Sequence, residues 1–181
     1  MIRPVRKEDA PQIAEIYRPY CEDTCISFEE VAPGPAEIEA RIEKTARRYP
    51  YLVDDVGGRI AGYAYATQHR ERAAYRWTVD TAIYVHGDFH GKGIGRGLYT
   101  ELFNRLRGQG LVKAYAGILA PNPASQAFHE AMGFTLVGLY RKVGYKLGAW
   151  RDVGWWELTL LPQTGSPAEP TPPQTTALTL S

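Results

Sequence analysis

The residues with the clearest chemical potential in this chain are His90-Gly91-Lys92-Gly93-Ile94-Gly95-Arg96-Gly97. The apolar run Ala82-Ile83-Tyr84-Val85 precedes them, and Leu98-Tyr99-Thr100-Glu101-Leu102-Phe103 follows. An extended segment therefore enters a glycine-rich loop that opens directly into an amphipathic helix. Glycine lets a backbone approach a ligand closely and take up positive φ at little cost. The first N–H groups of a helix have no partner within it and lie at the positive end of its dipole. Together these features make an anion site, most often one for phosphate.

Spacing excludes two common phosphate loops. The dinucleotide fingerprint needs G-x-G-x-x-G. Counted from Gly91 its third glycine falls on Arg96, and counted from Gly93 it falls on Leu98. A P-loop counted from Gly87 needs glycine where Lys92 stands. Further along lies Asn122-Pro123-Ala124-Ser125-Gln126-Ala127-Phe128-His129-Glu130-Ala131-Met132-Gly133-Phe134. It reads as a short helix closed by Gly133, since glycine after a last turn supplies the left-handed stop. His129 is an acid or base candidate, because imidazole titrates near neutrality. On helical spacing it shares a face with Ser125 and Met132, so a packed histidine is the competing assignment.

The elements that must position these residues follow from periodicity. Residues 2–5 read as a first strand, and 7–20 as a helix with Ile13, Ile16, Tyr17 and Tyr20 on one face. A second helix covers 36–49, with Ile38 and Ile42 one turn apart. Residues 51–56 and 59–68 form a hairpin around Gly57-Gly58, a favoured turn pair. A strand over 78–85 leads to the loop. The helix over 94–107 buries Ile94, Leu98, Tyr99, Leu102, Phe103 and Leu106. A strand over 112–119, a helix over 123–132 and strands over 134–146 and 153–160 complete a mixed α/β domain.

Composition bounds the rest. At 181 residues and 44% apolar content the chain is one domain with an ordinary core. A net charge of +1 gives no electrostatic argument for nucleic acid. No apolar run suits a membrane span, and Met1-Ile2-Arg3-Pro4-Val5-Arg6-Lys7 has no signal-like core, so a cytoplasmic protein is expected. Cys21 and Cys25 have no nearby ligands to complete a metal site, and free thiols in a reducing compartment are the expectation. After residue 162 the chain turns to Pro, Thr, Gln and Ser, which cannot bury enough surface to order itself, so residues 163–181 read as a flexible tail.

The two motifs together resemble those of the GNAT superfamily of N-acetyltransferases, whose pyrophosphate loop runs Gln/Arg-x-x-Gly-x-Gly/Ala and whose later segment runs Asn-x-x-Ala/Ser-x-x-x-Tyr-x-x-x-Gly-Phe. His90 and His129 replace the usual first residue and the usual tyrosine. Tyr49-Pro50-Tyr51-Leu52-Val53, Ala74-Tyr75-Arg76-Trp77-Thr78-Val79, Leu119-Ala120-Pro121-Asn122 and Gly144-Tyr145-Lys146-Leu147-Gly148-Ala149-Trp150-Arg151-Asp152-Val153-Gly154 narrow the resemblance to phosphinothricin and methionine sulfoximine acetyltransferases. It runs from Ile2 to about Leu161.

The resemblance implies a central, mostly antiparallel twisted sheet flanked by helices, in the order βααβββαβαβ with a closing strand. It also implies a splayed parallel strand pair that admits the pantetheine arm of acetyl-CoA. Backbone at Tyr84 and Val85 would pair with the pantetheine. His90, Lys92, Gly93, Ile94, Gly95 and Arg96 would hold the pyrophosphate, with Asn122 and Ser125 beside the arm. Acetyl transfer to an amine needs a base, a donor for the oxyanion and a route for a proton to the leaving thiolate; positioning and oxyanion stabilisation carry much of the rate. Asp80 stands where the related enzymes usually carry a glutamate proposed as general base. Asp80 and His129 are thus the catalytic candidates, with their roles unassigned. Arg70 and Arg72 match positions that bind substrate anions, and guanidinium suits such oxyanions. Tyr75, Tyr99 and Phe28 match pocket aromatics. The acceptor implied is the α-amine of a small amino-acid-like molecule. A polyamine or a protein terminus fits two arginines poorly, and a non-catalytic CoA sensor has no use for Asp80 and His129. The resemblance and the aromatic segment 140–156 both imply a homodimer.

Overall fold

A computed structural model describes residues 1–173. Strand β1 (Ile2–Pro4) leads through a 3-10 turn to helix α1 (Ala10–Glu22) and then helix α2 (Pro35–Ala46). Strands β2 (Tyr51–Val56), β3 (Arg59–Gln68) and β4 (Thr78–Val85) come next, then helix α3 (Ile94–Gly108). Strand β5 (Lys113–Ala120), helix α4 (Pro123–Ala131) and strands β6 (Thr135–Lys146) and β7 (Ala149–Thr159) complete the domain. Proline in the first turn starts α1, α2 and α4, where its missing N–H costs nothing. The seven strands form one sheet in the order β1-β2-β3-β4-β5-β7-β6.

Every neighbouring pair is antiparallel except β4 and β5. That pair is in register only where Thr78, Val79 and Asp80 face Lys113, Ala114 and Tyr115. Beyond it β4 stays with β3 as far as Val85, and β5 stays with β7 as far as Ala120. The two strands therefore part, and a wedge opens between residues 81–85 and 116–120. Thr81 ties the apex, its hydroxyl donating to the Tyr115 carbonyl at 3.1 Å.

One face of the sheet packs on α3 and α4, the other on α1 and α2. Val79, Ala114, Ala116 and Trp156 join Leu98, Leu102 and Leu106 in the first core. Fully burying leucines of this kind contributes roughly 1.5–3 kcal/mol each. Tyr51, Val53 and Tyr63 join Ile13, Ile16, Ile38 and Ile42 in the second. Side chains alternate along a strand, so Asp80, between core-facing Val79 and Thr81, looks toward the α1 and α2 side.

Three departures from the sequence expectations have local causes. Helix α1 starts at Ala10, not residue 7, because a 3-10 turn over Lys7–Asp9 precedes it. Strand β7 begins at Ala149, not residue 153, because Leu147 and Gly148 form a two-residue turn with φ of 49° and 74°. That is the geometry of the tight hairpin turn, here with a leucine in the first position. Residues 168–171 of the segment after residue 162 are held against the domain. Trp77 Nε1 donates to the Ala168 carbonyl at 2.7 Å, Arg76 pairs with Glu169, and Gln109 exchanges bonds with the Thr171 backbone. The rest of the expected tail, 174–181, lies outside the described residues.

Candidate active site

The wedge between β4 and β5 opens into a cavity of about 590 Å³, lined by both strands, the loop before α3 and the start of α4. The loop itself is built on left-handed glycines. Gly91 and Gly93 have φ of 72° and 80°, and Gly93 caps α3. The first bond of α3 runs from Gly97 N–H to the Gly93 carbonyl at 3.0 Å. The N–H groups of Ile94, Gly95 and Arg96 therefore have no acceptor within the helix. Lys92 and Arg96 are exposed beside them, and the Lys92 ammonium sits 5.2 Å from the centre of the Phe89 ring. This is a cradle for an anion.

Two expected contacts take other roles here. The His90 ring bonds the Val85 carbonyl at 3.0 Å through Nε2, and Tyr20 donates to the same oxygen at 2.6 Å. His90 thus latches the loop to the end of β4 through its side chain, and the Val85 carbonyl already has its donors. Gly95 does not face open space. A Cβ there would come 3.3 Å from the Phe128 ring and 3.6 Å from Ile83. Its missing side chain lets α4 close against α3 instead of clearing a path for phosphate.

On the far side of the cavity Asn122 caps α4, its Oδ1 accepting from Ser125 N–H at 3.2 Å. Asn122 and Ser125 both line the cavity. His129, one turn later, is buried. Its Nδ1 lies 2.8 Å from the Ser125 carbonyl and its Nε2 3.2 Å from the Tyr99 hydroxyl. A carbonyl only accepts, so Nδ1 carries the proton and Nε2 accepts from Tyr99. Burial pushes the imidazole below its ordinary pKa, against the opposing bond to Ser125. The sequence offered Asp80 and His129 as equal proton acceptors, but the geometry separates them: both nitrogens of His129 are already engaged. Tyr99 differs from expectation for the same reason. It lines the inner wall of the cavity but is wholly buried, with its hydroxyl committed to His129.

Asp80 sits at the apex, opposite Tyr115 on β5. Burial raises its carboxyl pKa, and a hydrogen bond from a histidine opposes the rise. That histidine is His69, which the sequence reading did not single out; its Nδ1 lies 2.6 Å from Asp80 Oδ1. The register that pairs Thr67 with Asp80 explains the meeting, because His69 follows two residues later on the same face. His69 stacks on Tyr115 with ring centres 4.7 Å apart, and Tyr75 approaches its edge at 6.0 Å. Arg70 is exposed, its guanidinium 5.9 Å from the Trp155 ring. Among the described residues the buried Trp155 indole N–H has no hydrogen-bond partner.

Arg70, Tyr75 and Asp80 are therefore brought together around His69. Arg72 is exposed at the start of the 3-10 turn Ala73–Tyr75, and among the described residues its guanidinium makes no hydrogen bond. Phe28 is placed differently from expectation. It lies against Gly144, where any Cβ would collide with its ring, and the residue of that loop which reaches the cavity is Ile26. Lys146 fixes the loop: its buried ammonium donates to the carbonyls of Cys21, Ser27 and Glu29. Among the described residues no group of His, Cys, Asp and Glu could hold a metal ion, and no helix is long and apolar enough to cross a membrane.

Residues 2–155 match the acetyltransferase (GNAT) domain. The chain belongs to the GNAT acetyltransferase family. A phosphinothricin N-acetyltransferase of Streptomyces viridochromogenes is 38% identical, over 93% of both chains. An L-methionine sulfoximine/L-methionine sulfone acetyltransferase of Pseudomonas paraeruginosa is 35% identical, over 92% of this chain and 98% of its own. The crystal structure of a phosphinothricin acetyltransferase from Sinorhizobium meliloti, in complex with acetyl-CoA, superposes with a TM-score of 0.88 at 36% identity, covering 93% of each chain.

The protein is thus an N-acetyltransferase, and acetyl-CoA is the family's acetyl donor. Its geometry fits that donor. A pantetheine arm is a slender chain of amides, which the opened wedge admits, and a pyrophosphate needs the N–H cradle at α3. Bound there, acetyl-CoA supplies the electrophilic thioester carbonyl.

Proposed function

We propose that the protein acetylates the α-amine of an amino-acid-like small molecule that carries an anionic group, phosphinothricin and methionine sulfoximine being the nearest examples. The single observation that carries this reading is the clustering of Asp80, His69, Arg70 and Tyr75 at the apex of the wedge, on the sheet face opposite α3. The two similar chains named for these substrates support it.

The N–H groups of Ile94, Gly95 and Arg96, with Lys92, hold the pyrophosphate of acetyl-CoA, while Asn122 and Ser125 flank the pantetheine. Arg70 and Arg72 draw the acceptor's carboxylate or phosphinate, and Tyr75 walls the pocket. Asp80 attracts the ammonium group and stands on the path by which its proton leaves. A cationic acceptor such as a polyamine would meet two arginines and is disfavoured.

The protein works as a cytoplasmic homodimer in this reading. Its support is the family resemblance, two free cysteines and an exposed apolar strip on β6 and β7 that includes Leu136, Leu139, Tyr140, Tyr145 and Trp150. Trp156 is turned into the core and Trp155 toward the site, so the strip is narrower than the aromatic count of the segment implies.

The test is release of free thiol from acetyl-CoA against a panel of amines. Methionine sulfoximine and phosphinothricin should accelerate release, with spermidine near background. Release driven by spermidine and not by amino acids would overturn the substrate class.

A further inference from the structure

His69 and His129 are opposites. His129 has both ring nitrogens engaged inside the protein. His69 has one nitrogen on a carboxylate, and among the described residues its Nε2 has no hydrogen-bond partner. An ionised carboxylate can only accept, so the proton lies on Nδ1 and Nε2 carries the lone pair. The ring is held by stacking on Tyr115 and by the edges of Tyr75 and Trp155, with centres 6.0 and 6.3 Å away. Its side chain retains 12% exposure, so it is held in place without being sealed off.

We propose that His69 takes the proton from the acceptor's ammonium group through Nε2, with Asp80 as the positioning residue that fixes its tautomer and stabilises the imidazolium. The assignment rests on the acetyl-transfer reading above and adds a residue to it. A histidine oriented by a carboxylate is a recurrent solution for proton removal. The choice between the two groups follows from geometry: Asp80 Oδ1 is committed to His69 Nδ1, whereas His69 Nε2 has no hydrogen-bond partner among the described residues.

The charges around His69 suit the role. From β4 it faces Asp80, and from β5 it faces Tyr115, whose hydroxyl is held by Glu157 of β7 at 3.1 Å. Glu157 is itself neutralised by Lys113 at 2.6 Å. Tyr75 comes from the 3-10 turn, and Arg70 directs its guanidinium to the His69 backbone carbonyl at 2.8 Å. Asp80 is thus the carboxylate in direct contact with the ring.

The proton balance is simple. An N–H bond of the substrate ammonium breaks and an Nε2–H bond forms, and the imidazolium passes that proton to solvent. The neutral amine then bonds the thioester carbon as the C–S bond breaks. The second proton released from nitrogen ends on the sulfur of CoA.

The test uses the full chain with acetyl-CoA and whichever amine of the panel gives the fastest thiol release. His69→Gln keeps a donor for Asp80 but cannot titrate. It should lower kcat by about 10² or more, leave the acetyl-CoA dissociation constant from calorimetry within about twofold, and abolish the ascending limb of the pH profile of kcat/KM. Added imidazole should restore part of the turnover of His69→Gly. A His69→Gln enzyme within about threefold of the parent, with its pH limb intact, overturns the proposal. Should the variants not fold, ¹⁵N imidazole spectra of the parent decide: an Nδ1–H tautomer supports the assignment and an Nε2–H tautomer overturns it. If the parent turns over no amine, the acetyl-transfer reading is refuted and the base assignment falls with it; if parent and His69→Gln are equally active, only the base assignment falls.

Discussion

At the scale of single residues, burial shifts two groups in opposite directions. Asp80 is pushed up by burial and lies against His69 where β4 and β5 part. Asp80→Asn should lower kcat by about 10² with a smaller change in KM, because it removes a charge needed when the proton moves, whereas Asp80→Glu should retain activity within about tenfold. Steady-state kinetics with saturating acetyl-CoA checks both. His129 is pushed down by burial and bears on stability. Its folded pKa lies below its unfolded one, so the unfolded chain binds more protons between the two values. Stability from this group is present above the ordinary imidazole value of about 6.5 and is lost as pH falls through the folded pKa. Calorimetric melting of the parent should therefore fall on acidification from pH 7.5. The fall should be shallower in His129→Phe, which is less stable overall because the Tyr99 hydroxyl loses its acceptor. A parallel pH dependence in parent and variant would count against the buried neutral imidazole. The anion loop and Asp80 were legible in the sequence because their signals are local. His69 was not, since its meeting with Asp80 depends on the register of two strands, and neither residue alone reveals that.

At the scale of elements, the wedge depends on where pairing stops. Alternation and the Gly57-Gly58 turn fixed β2, β3 and β4 to the residue, and the apolar stripe of α3 erred only at its last residue. The C-terminal hairpin was harder to read, because a leucine at positive φ carries no turn signature. The three-carbonyl anchorage of Lys146 likewise joins segments far apart in sequence. Gly95 shows how an element contact can look like a ligand contact. The loop motif suggests that a side chain there would block phosphate, but the structure puts Phe128 of α4 in that place. Gly95→Val should therefore push α4 away from α3. We expect acetyl-CoA affinity to fall at least tenfold and the melting temperature to drop with it, since overpacking of this kind costs about 1–3 kcal/mol. Calorimetric titration and melting, run together, check this; weakened binding with unchanged stability would restore the direct block of phosphate.

At the scale of the whole molecule, the domain presents its cavity on one side and an apolar strip at the β6 edge of the sheet. Exposed Tyr140, Tyr145 and Trp150 are the kind of surface that soluble monomers keep small. A two-fold dimer that buries the strip should give twice the monomer mass by light scattering at micromolar concentration, and Trp150→Glu should shift it toward the monomer. A monomer mass for the parent would refute the dimer. Composition concealed one large-scale feature: in the Pro- and Thr-rich segment after residue 162, Ala168, Glu169 and Thr171 are anchored by Trp77, Arg76 and Gln109, whose side chains supply the partners its own sequence lacks. The central claim is that the wedge joins acetyl-CoA to the α-amine of an anionic amino-acid-like acceptor. Mass spectrometry and NMR of the product formed from acetyl-CoA and methionine sulfoximine test it most directly. The account predicts a single acetyl group on the α-nitrogen, formed in step with thiol release and about 10²-fold more slowly in Asp80→Asn; unmodified methionine sulfoximine, or acetyl carried only by a polyamine or protein terminus in the same mixture, would contradict it.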